Sequence, residues 1–520
     1  MNWAREIALE IIEKRPNEEV YNVACGVSPS GFIHIGNFRE IVTPFMIATE
    51  LRELGKKVRF FISIDNYDRF RKVPAGIPEE LSKNIGKPYT GFESPFTKGK
   101  TYAEEFQERF LAECEAMGIK FDDVIYQTHE YQSGRYSEKI KLAMDKRGEI
   151  FDIIDSFRTQ DAEAGERENY YPISAYCEVC GKDSTKITSY DEKSGDFTYK
   201  CACGHEHKAN VLTAKNIKLQ WKVDWPMRWG EENVVFETGG LDHSTAGGSH
   251  DVAEAIARKI FGVIPPVYHG YNFISSKGGS AKMSSSNGGV TTLTSLLNVY
   301  DRHIIMWFYS KYKPNQTFFI ALDNDVIRFY SEFDRWVKAY FEDRIDEGNR
   351  DFIRFSGVTK DYLKNPNFTY LATFLPIVNF NEELLANLLE KEGIDTKTKE
   401  YKERLERAKF WVENYGTDYQ VNILKEKNVE FYNTLNEDEK LWVKKTIELI
   451  QKSYNTSDEL MTELYAVVKY LNLEPQDLKK VQKRFFEILY NLLLGTKQGP
   501  KLGIFLMAVD KQILENLLQF

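Results

Sequence analysis

Two short stretches hold the residues with the sharpest chemical meaning: Ser28-Pro-Ser-Gly-Phe-Ile-His-Ile-Gly-Asn37 and Lys282-Met-Ser-Ser-Ser286. The first follows the apolar run Tyr21 to Val27 and precedes the amphipathic run Phe38 to Leu54. That order predicts a strand, a tight loop and a helix. The start of a helix offers unpaired N–H groups and a positive dipole end, which suit the phosphates of a nucleotide. His34 can donate to a phosphate oxygen, Asn37 can donate beside it, and Ser30 and Gly31 shape the loop. Gly36, without a Cβ, lets a flat base approach the backbone. Lys282 supplies a mobile point charge for a pyrophosphate as it forms, with Met283 and Ser284 next to it. Lys277, Gly278 and Gly279 before it, and Gly288 and Gly289 after it, predict a hinged loop that closes over phosphates.

Such a reaction needs positioning and charge stabilisation more than acid–base chemistry. The lack of a nucleophile–base pair therefore fits. A third element, Gly239-Gly-Leu-Asp-His243, follows the expected strand Val234–Thr238. The paired Gly239 and Gly240 at the strand's end leave room for a ligand in the crevice of an open sheet. Asp242 there can accept both hydroxyls of a ribose, and His243 can reach an amino acid or the phosphates.

Four of the six cysteines fall between residues 177 and 203. Cys177-x-x-Cys180, followed by Cys201-x-Cys203 and His205-x-His207, is the layout of a tetrahedral structural zinc site. Cys177, Cys180 and Cys201 are three ligands, and the fourth is Cys203 or His205. Cys25 and Cys114 are expected to be small core residues.

These residues need elements to carry them. Helix is expected in residues 1–20, and strands and helices alternate over 21–150, which predicts a parallel sheet covered by helices. A Pro- and Gly-rich arm of weak periodicity interrupts this between Phe70 and Lys100. Residues 151–210 form a connective insertion holding the zinc site. The alternation resumes over 211–295 with strand Val234–Thr238, helix His250–Phe261 and strand Val267–Ile274, and the Lys-Met-Ser loop follows. Amphipathic helices are expected throughout 296–520, beginning with Leu293–Tyr309. The fold class is thus α/β, a Rossmann-type parallel sheet split by a zinc-bearing insertion and followed by an all-α C-terminal region.

Composition sets the remaining bounds. A hydrophobic content of 42% and an aromatic content of 14% suit a packed soluble core. No apolar run approaches the roughly 20 residues needed to span a bilayer, and the N-terminus lacks a signal-peptide layout. The expected location is the cytoplasm, with no membrane partner and a monomer favoured. A net charge of −9 argues against unspecific polyanion binding, although local basic patches on an acidic protein suffice for RNA. Candidates are Arg69, Arg71 and Lys72, and Lys479, Lys480, Lys483 and Arg484.

The paired motifs resemble the His-Ile-Gly-His and Lys-Met-Ser-Lys-Ser signatures of class I aminoacyl-tRNA synthetases, with Asn37 and Ser285 at the two departures. Longer phrases look like the class I lysyl-tRNA synthetases: Cys25 to Glu40, Asp65-Asn-Tyr-Asp-Arg-Phe-Arg-Lys-Val-Pro74, Lys222-Val-Asp-Trp-Pro-Met-Arg-Trp229 and Gly239 to Ser249. The resemblance covers the whole chain. It implies ATP-dependent attachment of lysine to tRNA-Lys through a lysyl-adenylate, with Mg2+ and a helical anticodon-reading region. It also implies that Asp242 holds the ATP ribose. A lysine pocket needs a carboxylate or an aromatic face for the ε-ammonium; Ser28, Asp65, Trp221 and Tyr271 are the candidates. The glutamyl enzymes share the Trp-Pro-x-Arg-Trp phrase and are the nearest rival, with Arg69, Arg71 and Arg228 available to a glutamate. A third reading is a zinc-bearing, tRNA-binding paralogue without activity, against which the intact His34, Gly36, Asp242 and Lys282 argue.

Overall fold

The structure, a computed structural model, describes residues 2–158, 160, 162–272, 274–276, 292–416 and 421–520. The chain forms two compact units. The first comprises Met1–Leu296, Ile305–Ile320 and Asp346–Gly357; the second comprises Leu297–Ile304, Ala321–Ile345 and Val358–Phe520.

In the first unit, helix α1 (Trp3–Lys14) starts at Asn2, whose side chain accepts the Arg5 N–H. Strand β1 (Tyr21–Val27), helix α2 (Ile35–Glu53) and strand β2 (Val58–Ile64) follow as the hydrophobic pattern predicts. Helix α2 buries Ile41, Met46, Ile47 and Leu51, each worth roughly 1.5–3 kcal/mol. Helix α3 (Tyr102–Ala116), with a Thr101–Glu104 capping box, leads to strand β3 (Asp123–Tyr126) and helices α4 (Gln127–Ser133), α5 (Ser137–Asp145) and α6 (Arg147–Ser156). After the insertion come α7 (Trp221–Glu231), β9 (Val234–Gly240), α8 (Ser249–Ile256) and β10 (Val267–Tyr271). The main sheet is all parallel, in the order β10-β9-β1-β2-β3. From β1 the chain runs outward to β2 and β3, then returns to the other side of β1 for β9 and β10. The strand order therefore reverses between β1 and β9, and the mouth of that switch is where open parallel sheets bind ligands.

The insertion is built of short antiparallel strands: β4 (Ile173–Ala175), β5 (Thr185–Tyr190), β6 (Asp196–Cys201), β7 (Glu206–Asn210) and β8 (Ile217–Leu219). Strand β4 pairs with β8 and closes its base, while β5, β6 and β7 form a meander.

Several expectations change. The arm at 70–100 has an apolar core of its own, with Phe70, Tyr89 and Phe92 packed on Tyr102 and Phe106 of α3. Helix α7 was not legible, because Pro226 and three tryptophans mask its period. The helix expected over Leu293–Tyr309 is two, Leu293–Leu297 and Arg302–Lys311. Asp301 starts the second by accepting the His303 N–H at 2.9 Å. The expected strand Val267–Ile274 ends at Tyr271, and the helix expected to reach Phe261 leaves α-geometry for a π-turn at Ala257 that ends at Gly262 (φ +66°).

In the second unit every described element is helical, among them Asp325–Phe341, Phe368–Ile377, Glu382–Lys391, Lys399–Asn414, Glu437–Ile450, Ser457–Ala466 and Pro475–Leu494. Arg404 is buried there and pairs with Asp334 at 2.9 Å. Among the described residues no helix is long and apolar enough to cross a membrane.

Candidate active site

The Ser28–Asn37 loop leaves β1 at the switch point and enters α2. His34 is the N-cap of that helix, and its Nδ1 accepts the Asn37 N–H at 3.3 Å. A neutral imidazole accepting at Nδ1 carries its proton on Nε2, so Nε2 is the nitrogen able to donate to an anion. A Cβ at residue 36 would lie 2.9 Å from the His34 ring. Gly36 therefore makes room for the histidine, which is a different reason from the approach of a base. Asn37 is exposed in the first turn, as is Ser30 in the loop. The Ser30 carbonyl accepts from Tyr102 at 2.9 Å, and a Cβ on Gly31 would press on Pro74 at 3.2 Å. The arm at 70–100 thus braces the loop.

On the opposite lip, β9 ends at Gly240, opposite Tyr271 of β10. Asp242 is exposed just beyond, and the His243 ring lies 6.1 Å from Trp221 and 5.9 Å from Trp225. The space beside Gly239 is not left for a ligand, because a Cβ there would meet the Tyr268 hydroxyl at 2.4 Å.

Behind the lips lie two acidic groups of different character. In one, Arg228 Nη1 meets Asp65 Oδ1 at 2.7 Å and Nη2 meets Asp224 Oδ2 at 2.9 Å. Lys218 pairs with Asp68 and lies 3.8 Å from Asp224. Tyr131 donates to Asp224 at 2.5 Å, and Ser28 to Asp68 at 3.4 Å. Burial works against every charge here, yet Lys218 beside it holds the Asp68 carboxyl below its ordinary value. The carboxylates Asp224 and Asp65 hold the Arg228 guanidinium firmly protonated. Asp65 Oδ1, on the residue read as a receptor for an ε-ammonium, is thus engaged by Arg228. Arg228 is equally unavailable to a glutamate, and Arg69 pairs with Asp183 at 3.0 Å.

The other group is Glu40 and Glu237. Glu40 lies on α2 beside the buried Tyr271, whose hydroxyl draws the carboxyl down while Glu40 pushes the tyrosine up. Trp225 Nε1 and Trp229 Nε1 both donate to Glu237 Oε2, at 2.9 and 2.5 Å. Among the described residues neither carboxylate has an ion-pair partner. Burial, then the charge of Glu237, pushes the Glu40 carboxyl well above its ordinary value; burial raises Glu237 too. Trp221 stacks on Trp225 at 5.0 Å and lies 5.3 Å from the Arg228 guanidinium, and its buried Nε1 has no partner among the described residues. Glu40 was missed in the sequence: the run Phe38 to Leu54 was read as amphipathic, whereas α2 is buried on most sides, and only the fold brings Tyr271 to Glu40. Lys282, Met283 and Ser284 lie outside the described residues.

A family model described as class I (K) tRNA synthetases matches residues 1–358. The chain belongs to that family. A lysine--tRNA ligase from Borreliella burgdorferi is 33% identical over 99% of this chain and 98% of its own length. One from Streptomyces coelicolor is 34% identical over 99% and 97%. A glutamate tRNA ligase of known structure from Elizabethkingia meningosepticum is 12% identical, covering 96% of this chain and 98% of its own, with a TM-score of 0.46.

In this synthetase-family chain the insertion gathers its four thiols. One sulfur from each of Cys177, Cys180, Cys201 and Cys203 lies within 4.8 Å of the others. Cys177 and Cys203 are 3.7 Å apart, and Cys180 and Cys201 are 3.6 Å apart. Two tight turns present them, closed by Gly181 N–H to Cys177 O and Gly204 N–H to Cys201 O. Gly181 (φ +71°) and Gly204 (φ +93°) take the left-handed backbone these turns require. Four converging thiols fit a tetrahedral metal. His205 is not in this set; it groups with Glu178 and His207. Cys25 and Cys114 are buried, and burial pushes both thiols up.

Proposed function

We propose that this chain attaches lysine to tRNA-Lys at the expense of ATP, through a lysyl-adenylate formed at the β1–β9 switch point. The observation that carries this reading is end-to-end similarity to proteins named lysine--tRNA ligase, in a chain whose sheet opens at the expected crevice.

A carboxylate oxygen of lysine attacks the α-phosphorus of ATP, and pyrophosphate leaves. A ribose hydroxyl at the tRNA end then attacks the adenylate's carbonyl, and AMP leaves. His34, donating from Nε2, and Asn37 receive the phosphates at the start of α2. Ser30, Gly31, Gly36 and Gly240 shape the nucleotide's bed, and Asp242 takes the ribose. His243 contacts the adenylate. Lys282, with Met283 and Ser284, neutralises the departing pyrophosphate together with substrate Mg2+. For lysine, Glu40 and Tyr271 receive the ε-ammonium, Trp221 forms a wall and Ser28 a polar edge. A half-buried carboxyl without an ion-pair partner among the described residues supports this choice over glutamate. Cys177, Cys180, Cys201 and Cys203 would hold a structural zinc, whose chemistry is to staple the two turns of the insertion. Arg71 and Lys72 are exposed and suit tRNA phosphates. Lys480 and Arg484 are less available, being paired with Asp477 and Glu439 at 2.9 and 2.8 Å.

ATP–pyrophosphate exchange, with lysine and with glutamate, each with and without tRNA, tests the reading. Lysine-dependent exchange is expected. Exchange with glutamate alone would move the specificity, and silence with every amino acid alongside tight tRNA binding would favour the inactive paralogue.

A further inference from the structure

The face of the insertion beside the thiols carries a second set of metal donors. His207 lies in β7 and His205 just before its first residue, Glu206, and the two imidazoles stack on each other. Their rings are 5.9 Å apart and tilted by 21°. Both pack against Tyr199, at 6.3 and 5.8 Å. The Tyr199 hydroxyl accepts the Glu178 N–H at 3.3 Å, which ties the Cys177–Cys180 turn to this face. Glu178 Oε2 lies 3.3 Å from His207 Nδ1, and one donor atom from each of Glu178, His205 and His207 lies within 4.8 Å of the others.

An ordinary His–Glu contact accounts for His207 and Glu178 alone. It leaves His205 unexplained, because its Nε2 is buried and has no hydrogen-bond partner among the described residues. A buried ring nitrogen without a partner is unfavourable, and a cation at this face removes that cost.

We propose that Glu178, His205 and His207 form a second divalent-metal site, separate from the four thiols. Two imidazoles and one carboxylate suit Zn2+, Co2+, Ni2+ or Cu2+ rather than Mg2+ or Ca2+. Three protein ligands leave positions open to solvent, so this metal exchanges readily, whereas one held by four thiolates does not. The two sites share short chain segments: Glu178 follows Cys177, and His205 lies two residues past Cys203. A metal on the thiols fixes both segments, so the thiol site fills first.

The test is titration of the metal-stripped full-length protein with Co2+, followed by optical spectroscopy and metal analysis. Two equivalents are expected to bind. The first brings intense thiolate-to-metal absorption, and the second adds only weak visible bands. His207→Gln is expected to keep the first and lose the second, and Glu178→Gln to weaken the second at least tenfold. Cys177→Ser is expected to lose both. Binding by the wild type of a single equivalent that carries the thiolate band overturns the proposal, and so do two retained equivalents in His207→Gln. Loss of the thiolate band in His205→Gln also overturns it, by making His205 a ligand of the thiol cluster. A missing thiolate band in the wild type, with the weak bands present, counts against the thiol site while upholding this one.

Discussion

Two acidic regions stand behind the mouth of the same parallel sheet, and they are balanced in opposite ways. Asp65, Asp68 and Asp224 are met inside the protein by Lys218 and Arg228. Glu40 and Glu237 are met by a tyrosine and two indoles, all neutral donors. The first region is closed electrostatically and serves the fold. Among the described residues the second has no ion-pair partner, and burial raises both of its carboxyls, as it also raises Asp65 in the first. Under the proposed function, the ε-ammonium of lysine is the cation that this region receives. A pocket for a cationic substrate is thus marked less by its count of acids than by which acids have no ion-pair partner among the described residues.

The largest effect should come from breaking the closed region. Arg228→Met strands Asp65 and Asp224 in the interior, and losing one partner of a buried pair costs about 3–5 kcal/mol. Denaturant unfolding of the first unit is expected to show that loss. A change below about 1 kcal/mol would mean that the network is solvated and the contrast between the regions is false.

The converse variant, Glu40→Gln, should leave the fold intact and take away lysine. Removing the charge that meets a buried ammonium costs roughly 3 kcal/mol, on the order of a hundredfold in kcat/KM for lysine. Its melting temperature is expected to hold or rise, because a carboxyl whose folded value is raised stabilises the fold only at low pH. That contribution is complete below the ordinary carboxylate value and is lost as pH rises through the raised one. A variant that melts early but keeps its KM for lysine would reverse the roles of the two regions.

The same titration links lysine binding to pH. The free site holds a proton on Glu40 to higher pH than an ordinary carboxylate does, and the ammonium expels it. Lysine affinity should therefore fall as pH drops through the raised Glu40 value, above the usual carboxylate range, and Glu40→Gln should flatten that dependence. Calorimetry in buffers of different ionisation enthalpy reads the released proton directly.

The smallest expected effect is that of Tyr271→Phe. It removes the hydroxyl that would donate to Glu40 once lysine holds it charged, about 1.5 kcal/mol or roughly tenfold in lysine affinity, and raises the Glu40 carboxyl further. An unchanged lysine affinity would take Tyr271 out of the pocket.

How far these regions could be read from the sequence depends on the range of the signal. The Ser28–Asn37 loop, the Gly239–His243 turn and the cysteine pairs are local patterns, and the structure brings each together where the neighbouring strand and helix periods place it. Asp65 was legible as an acid at a strand's end, but its commitment to Arg228 was not, because 163 residues separate them. Glu40 gave no signal at all: one acid on a helix looks solvated until β10 lays Tyr271 against it. Gly36 and Gly239 were legible as places where a side chain does not fit. What fills the space, the His34 ring and the Tyr268 hydroxyl, is a tertiary fact. Cys203 and His205 were equivalent by spacing, and only the turn at Gly204 separates them.

The most direct measurement of the central claim is calorimetric binding of lysine, norleucine and glutamate to the wild type and to Glu40→Gln, with and without tRNA. The wild type is expected to bind lysine with release of a proton and to bind neither norleucine nor glutamate appreciably. Glu40→Gln is expected to lose both the lysine affinity and the proton. Lysine bound equally well by both proteins, or glutamate bound in its place, would contradict the account.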